Sequence, residues 1–100
     1  DIEYAIRRRL EAMMDRLQEN PSDETIHQDL ALVIELLNTV ALDINYWQIQ
    51  NSYLGMMRRT YGEYLRRANE GDEAASRLVG AFSRLGQLLR FNTAAVLPEA

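Results

Sequence analysis

Apolar residues recur every three or four positions in four stretches of the chain, the spacing that places side chains on one face of an α-helix. The predicted helices span about residues 2–19, 21–42, 46–69 and 73–91. The connections between them are short to moderate, so successive helices are expected to run in opposite directions. The sequence therefore predicts an all-α fold, a four-helix antiparallel up-down bundle with short connections, forming one domain over residues 1–100.

Residues suited to helix ends mark the boundaries between these stretches. Asn45 and Gln48 have the spacing of a capping box, which predicts that the third helix begins at Tyr46. Gly71 suits the position after a helix and Asp72 the N-cap of the next one. The second helix is expected to begin at Pro21, whose fixed backbone suits a first turn.

The second predicted helix is apolar on more than one side. Its expected buried seam is a heptad-like series of Ile26, Leu30, Val33, Leu37, Val40 and Ile44. Leu32, Leu36 and Leu42 fall outside that seam, and an exposed apolar patch of this kind indicates a contact surface, here of a homodimer. His27 is expected at the surface or its boundary, without a catalytic or ligating role.

Aromatic and amide side chains are concentrated at the start of the third predicted helix. The candidate ligand-binding residues there are Tyr46, Trp47, Gln50, Asn51 and Tyr53. Aromatic faces stack on sugar rings and amides bond to sugar hydroxyls, so a saccharide site is one interpretation. The other is that these rings belong to the core, which predicts that Trp47 is largely buried against the second and fourth helices. Gln50 is expected either to fix the packing register or to form the floor of a small polar site.

The opposite face of the same predicted helix carries small and basic residues. Gly55 and Gly62 lie one heptad apart, each followed four residues later by an arginine, Arg59 and Arg66. Glycine on an exposed helix face costs about 1 kcal/mol relative to alanine, which favours a face that another domain approaches closely. A merely solvated face is the alternative.

Composition limits the classes of function. Hydrophobic residues make up 47% and charged residues 26% of the chain, values typical of a globular domain. The net charge of −4 argues against nucleic-acid binding, and no apolar run reaches the length of a membrane span. With no cysteine, a cytoplasmic location is expected. Glu24 and His27 form a lone E-x-x-H pair, whereas a di-iron bundle needs two, so no metal, cofactor or catalytic residue is predicted.

The segment Asn45–Asn51 resembles an N-x-W-x-x-Q-N block of the all-helical C-terminal region of bacterial proteins related to glycoside hydrolase family 57, the α-amylase and α-glucanotransferase type. The runs Glu70–Ala75 and Phe82–Arg90 are similar to the end of that region. In such proteins the catalytic carboxylates lie in an N-terminal barrel, so the resemblance implies an accessory domain and transfers no catalytic residue.

These observations together predict a non-catalytic helical domain, cut from a longer carbohydrate-active protein, that docks on or completes the catalytic domain of that protein. The alternative is a separate helical module that binds a protein partner or dimerises. An enzyme in its own right has no supporting residues in this sequence.

Overall fold

A computed structural model describes residues 1–40 and 42–89. Its four helices are α1 (Ile2–Glu19), α2 (Glu24–Thr39), α3 (Trp47–Asn69) and α4 (Glu73–Leu88). The predicted all-α four-helix bundle is confirmed. Among these four helices, none combines the length and the hydropathy needed to cross a membrane. The last two residues of the fourth predicted helix, 90 and 91, lie outside the described residues.

The helices pack as a ring in which α1 and α4 each contact both α2 and α3. Within the described residues α2 and α3 make no direct packing contact, so they lie at opposite corners. Salt bridges Glu24–Arg77 and Glu35–Arg84 join α2 to α4 in parallel. The helices thus alternate in direction along the chain.

The start of α2 differs from the prediction. Asp23 is the N-cap, so the helix begins at Glu24 rather than at Pro21, and the Asp23 Oδ1 accepts hydrogen bonds from Thr25 N at 3.0 Å and Ile26 N at 3.2 Å. The Asp23 carboxylate accepts from two backbone N–H groups at once. Its negative charge also interacts favourably with the positive end of the helix dipole. Pro21 therefore lies in a turn before the helix.

The boundary between α3 and α4 is the one predicted. Gly71 has a φ of 96°, a conformation that glycine adopts without steric cost. Its N–H donates to Ala68 O and that of Asp72 donates to Arg67 O, both at 3.0 Å, which is a Schellman motif. Asp72 then caps α4 by accepting from Ala75 N at 3.1 Å.

The Phe82 ring on α4 lies at the centre of the core and is fully buried. The ring centroid of His27 on α2 lies 4.8 Å away, and the rings of Tyr53, Tyr61 and Tyr64 on α3 lie at 6.3, 5.8 and 5.8 Å. The Tyr53 hydroxyl also donates to the Phe82 carbonyl at 2.8 Å. Burial raises the pKa of Tyr53, so this hydroxyl stays a donor.

The prediction that His27 lies at the surface or boundary is wrong, since only 1% of the residue is exposed. The reason is the rotation of α2, which turns Ala31 and Ile34 inward together with His27 and leaves Val40 55% exposed. His27 Nε2 donates to the Pro21 carbonyl at 2.9 Å. Burial lowers the pKa of His27, against a weaker opposite effect of that bond and of Asp23 and Glu24.

Amide side chains satisfy the carbonyl groups at the end of α4. Gln50 Nε2 donates to Leu89 O at 2.8 Å, and Asn38 Nδ2 donates to Leu88 O at 3.4 Å. Carbonyl groups in the last turn of a helix have no partner within the helix, so these bonds from α2 and α3 stabilise its end. Of the two roles predicted for Gln50, the structure supports the one that fixes the packing register.

Phe82→Ala is expected to lower the free energy of unfolding by about 3–5 kcal/mol, because it removes the ring on which α2, α3 and α4 converge. Trp47→Ala, an aromatic truncation at an exposed position, is the matched comparison and should cost less than about 1 kcal/mol. Urea unfolding of both variants measures the difference. Equal losses would contradict this description of the core.

The stability of the fold should fall as the pH is lowered from about 7.5 to about 5, because the unfolded chain takes up a proton on His27 near its ordinary pKa of about 6.5 while the folded chain resists it. One proton limits the slope to about 1.4 kcal/mol per pH unit.

His27→Gln should flatten the dependence in this range, since His27 is the only histidine. Asp72 and Glu63, whose pKa values are lowered by the bond from Ala75 N–H and by Arg66 respectively, affect stability only at lower pH. Urea unfolding at a series of pH values measures how the free energy of unfolding depends on pH. If this dependence is the same in His27→Gln as in the unaltered chain, His27 is not its cause.

Candidate binding cleft

Trp47 does not lie in the core as predicted, because 70% of it is exposed. Successive residues of an α-helix are rotated by about 100°, so Trp47 and Ile49 point about 160° apart. Ile49 and Met56 are buried and define the inner face of α3, and an arc containing both Ile49 and Trp47 is too broad to be buried as a whole. The tryptophan therefore faces outward.

The start of α3 is held by Asn45, although not as predicted. Its Oδ1 accepts from Trp47 N at 2.9 Å, and the helix begins at Trp47 rather than at Tyr46. This bond spans two residues and leaves the Gln48 side chain outside the cap, where it lines a surface cleft beside Trp47. The turn thus fixes the backbone from which Trp47 projects.

The cleft lies where the N-terminal turns of α1 and α3 meet and has a volume of about 290 Å³. Its lining residues are Tyr4, Arg7, Arg8, Glu11, Asn45, Trp47 and Gln48. Tyr4 is 55% exposed, so two large aromatic side chains lie at the surface of one cleft. We call this site the Trp47 cleft.

The charged groups of the Trp47 cleft hold one another in place. Arg7 and Arg8 both pair with Glu11, at 3.9 and 3.5 Å, and the Arg7 guanidinium lies 5.5 Å from the centroid of the Tyr4 ring. These groups offer hydrogen-bond donors from arginine and acceptors from glutamate beside two aromatic faces. The arrangement is suited to a ligand that combines hydroxyl groups with an apolar ring face.

The five ligand-binding residues predicted from the sequence do not share one surface. Trp47 lines the cleft, and Asn51 is exposed outside its lining. Tyr46 and Tyr53 are 7% and 0% exposed and belong to the core, while Gln50 is half-buried and bonded to Leu89 O. A buried ring cannot stack on a ligand, so the two tyrosines are positioned for packing instead.

The sequence analysis missed the contribution of α1 to this cleft. Arg7 and Arg8 belong to an arginine triplet whose acidic neighbours are typical of a solvated face. Tyr4 gave a usable signal, since it lies two residues from Ile6 and hence on the opposite, polar side of the helix. An aromatic residue on a polar helix face is a candidate for binding.

On the outer face of α3, Gly62 is exposed and Gly55 is half-buried. A Cβ atom at Gly62 would meet nothing within 4 Å, and one at Gly55 would lie 3.4 Å from Arg59 Nη1. Arg66 is paired within its own helix, with Glu63 at 2.6 Å and Glu70 at 2.8 Å. The glycines do not pack inside the bundle, and docking through this face stays a prediction.

The predicted apolar patch on α2 is present, but Val40 belongs to it in place of Leu42. Leu32 and Leu36 are each 62% exposed, and Val40 at 55% continues their line, since each is four residues from the next. Leu42 is half-buried and packs against the core. The patch on the outer side of α2 therefore consists of Leu32, Leu36 and Val40.

Comparison with protein-family models, with curated proteins and with solved structures finds no match to this chain. The resemblance to the helical region of family 57 proteins thus stays a prediction. Among residues 1–40 and 42–89, no group of three or more metal-ligating side chains is close enough to hold an ion.

Proposed function

We propose that this chain is a non-catalytic helical domain that binds a saccharide in the Trp47 cleft, as part of a larger carbohydrate-active protein. One observation carries the proposal: the single tryptophan of the chain is 70% exposed and shares a cleft with an exposed tyrosine. The rotation of α3 accounts for the outward direction of Trp47, so the support for binding comes from its position beside a second exposed aromatic ring in one cleft.

The surroundings of the two rings favour a saccharide over a purely apolar ligand. Asn45 and Gln48 provide amides, Arg7 and Arg8 provide guanidinium donors, and Glu11 provides an acceptor. Sugar hydroxyls need both donors and acceptors, while the C–H face of a pyranose ring stacks on an aromatic ring. A volume of about 290 Å³ is small for a ligand site and suits one or two sugar units.

As part of a larger protein, the chain would also contact a neighbouring domain, and we propose that it does so through the outer face of α3. Gly55 and Gly62 would let a neighbouring domain approach α3 closely, and Arg59 would meet an acidic group on that domain. None of these three residues lines the Trp47 cleft, so the proposed docking and the proposed sugar binding use different residues.

Tryptophan fluorescence tests the saccharide proposal directly, because Trp47 is the only tryptophan. Titration with maltose, cellobiose and N,N′-diacetylchitobiose should give a saturable change in emission for at least one of them. Tyr4→Ala should weaken that binding by about tenfold, since it removes one stacking face.

Gly62→Ala, about four turns further along α3 and outside the lining of the cleft, is the control and should leave the saccharide affinity unchanged. A titration in which no saccharide alters the emission, or in which Tyr4→Ala binds like the unaltered chain, would refute the proposal. Both variants lie at exposed positions, so neither is expected to unfold the domain.

Self-association through α2 is the second candidate function, favoured by the exposure of Leu32, Leu36 and Val40. An apolar line of three side chains is short of the roughly 800 Å² per partner that stable interfaces bury, so the dimer would be weak. Light scattering should show a mass that rises with concentration, and Leu36→Glu should abolish the rise. A constant mass for both proteins would exclude this function without affecting the saccharide test.

A further inference from the structure

A second depression lies on the other side of the molecule, between α2 and α4, with a volume of about 270 Å³. Its lining residues are Glu24, His27, Gln28 and Ala31 from α2 and Arg77, Gly80, Ala81 and Arg84 from α4. We call it the His27 groove. It shares no residue with the Trp47 cleft.

The shape of the His27 groove is set by small side chains between two salt bridges. Ala31, Gly80 and Ala81 leave the space open, and a Cβ atom at Gly80 would meet nothing within 4 Å. The pair Glu24–Arg77 joins the two helices at one end, and Glu35–Arg84 joins them further along. A small molecule fits between these pairs, whereas a partner helix lying along the groove would have to break them.

The electrostatic character of the groove is balanced. Each arginine on α4 is matched by a glutamate on α2, at 3.0 Å in the case of Arg77 and Glu24. A charged ligand would have to compete with these pairs for its counter-charge. The groove therefore suits an uncharged molecule.

His27 lines the groove, and one of its ring nitrogens is a buried acceptor without a partner, which points to a ligand with a hydrogen-bond donor. His27 Nε2 donates to Pro21 O, so Nδ1 carries the lone pair and is an acceptor. Nδ1 is buried and has no hydrogen-bond partner among the described residues. Buried acceptors are nearly always bonded, and an unbonded one calls for an explanation.

We propose that the His27 groove binds a small uncharged molecule with an apolar body and one hydroxyl or N–H group, which donates a hydrogen bond to His27 Nδ1. The apolar body would lie on Ala31, Gly80 and Ala81. Phenol has this chemistry, and anisole is its matched counterpart because a methyl ether replaces the donor while the ring is kept.

Nitrogen NMR of His27 measures the proposed bond without ambiguity, since the chain has no other histidine. At a pH of about 7.5, where a histidine of lowered pKa is neutral, phenol should shift the Nδ1 resonance in a saturable manner. Anisole should bind about tenfold more weakly, because one hydrogen bond in a buried site is worth about that factor. Equal affinity for phenol and anisole, or no shift of Nδ1, would overturn the proposal.

Two variants complete the test. His27→Leu should remove the preference for phenol over anisole, while Gly80→Leu should fill the groove and abolish the phenol-induced shift of His27. Gly80 is exposed and a Cβ atom there would meet nothing within 4 Å, so this variant is expected to keep the fold even if His27→Leu does not. A phenol-induced shift that survives Gly80→Leu would place the ligand elsewhere and refute the groove as its site.

Discussion

The packing of the whole bundle depends on the Phe82 ring. It is the side chain on α4 that contacts both a ring on α2, that of His27, and three tyrosine rings on α3. Because α2 and α3 lie at opposite corners, their relative position is determined by what lies between them, and Phe82 occupies that place. The Tyr53 hydroxyl also donates a hydrogen bond to the Phe82 carbonyl. Because hydrogen bonds are more selective in geometry than apolar packing, this bond restricts how α3 and α4 are oriented against each other.

This central contact also determines what α3 presents to solvent. Once Tyr53 faces Phe82 and Ile49 and Met56 line the inner face, Trp47 has to point away from the core. The exposed tryptophan is therefore a geometric consequence of the same rotation that builds the core. Its proximity to Tyr4 follows from a second constraint, the alternating helix directions, which place the first turns of α1 and α3 at the same end.

The features that the sequence predicted correctly are those that depend on neighbours along the chain. The turn at Gly71 and Asp72 is one, because glycine at positive φ and an aspartate cap act within a few residues. The rotation of α3 could not be predicted in this way, since Trp47 and Tyr53 are both aromatic and only the position of Phe82, 29 residues after Tyr53, distinguishes them. His27 is the same case, because its burial depends on α4. The contribution of α1 to the candidate site escaped prediction for this reason, since the site joins two helices that are distant in sequence.

Some polar groups in the interior have hydrogen-bond partners within the fold, and one, Nδ1 of His27, has none among the described residues. Gln50 and Asn38 donate to the carbonyl groups at the end of α4, which have no partner within the helix. Both amides therefore have a structural role. The hydrogen bond from His27 Nε2 to Pro21 O gives this nitrogen of the imidazole ring a structural role as well. Nδ1 has no hydrogen-bond partner among residues 1–40 and 42–89, and an apolar side chain beside Phe82 would avoid the cost of burying an unbonded acceptor. His27 also lines the open groove between α2 and α4, so the proposed ligand would supply the donor that the described residues do not.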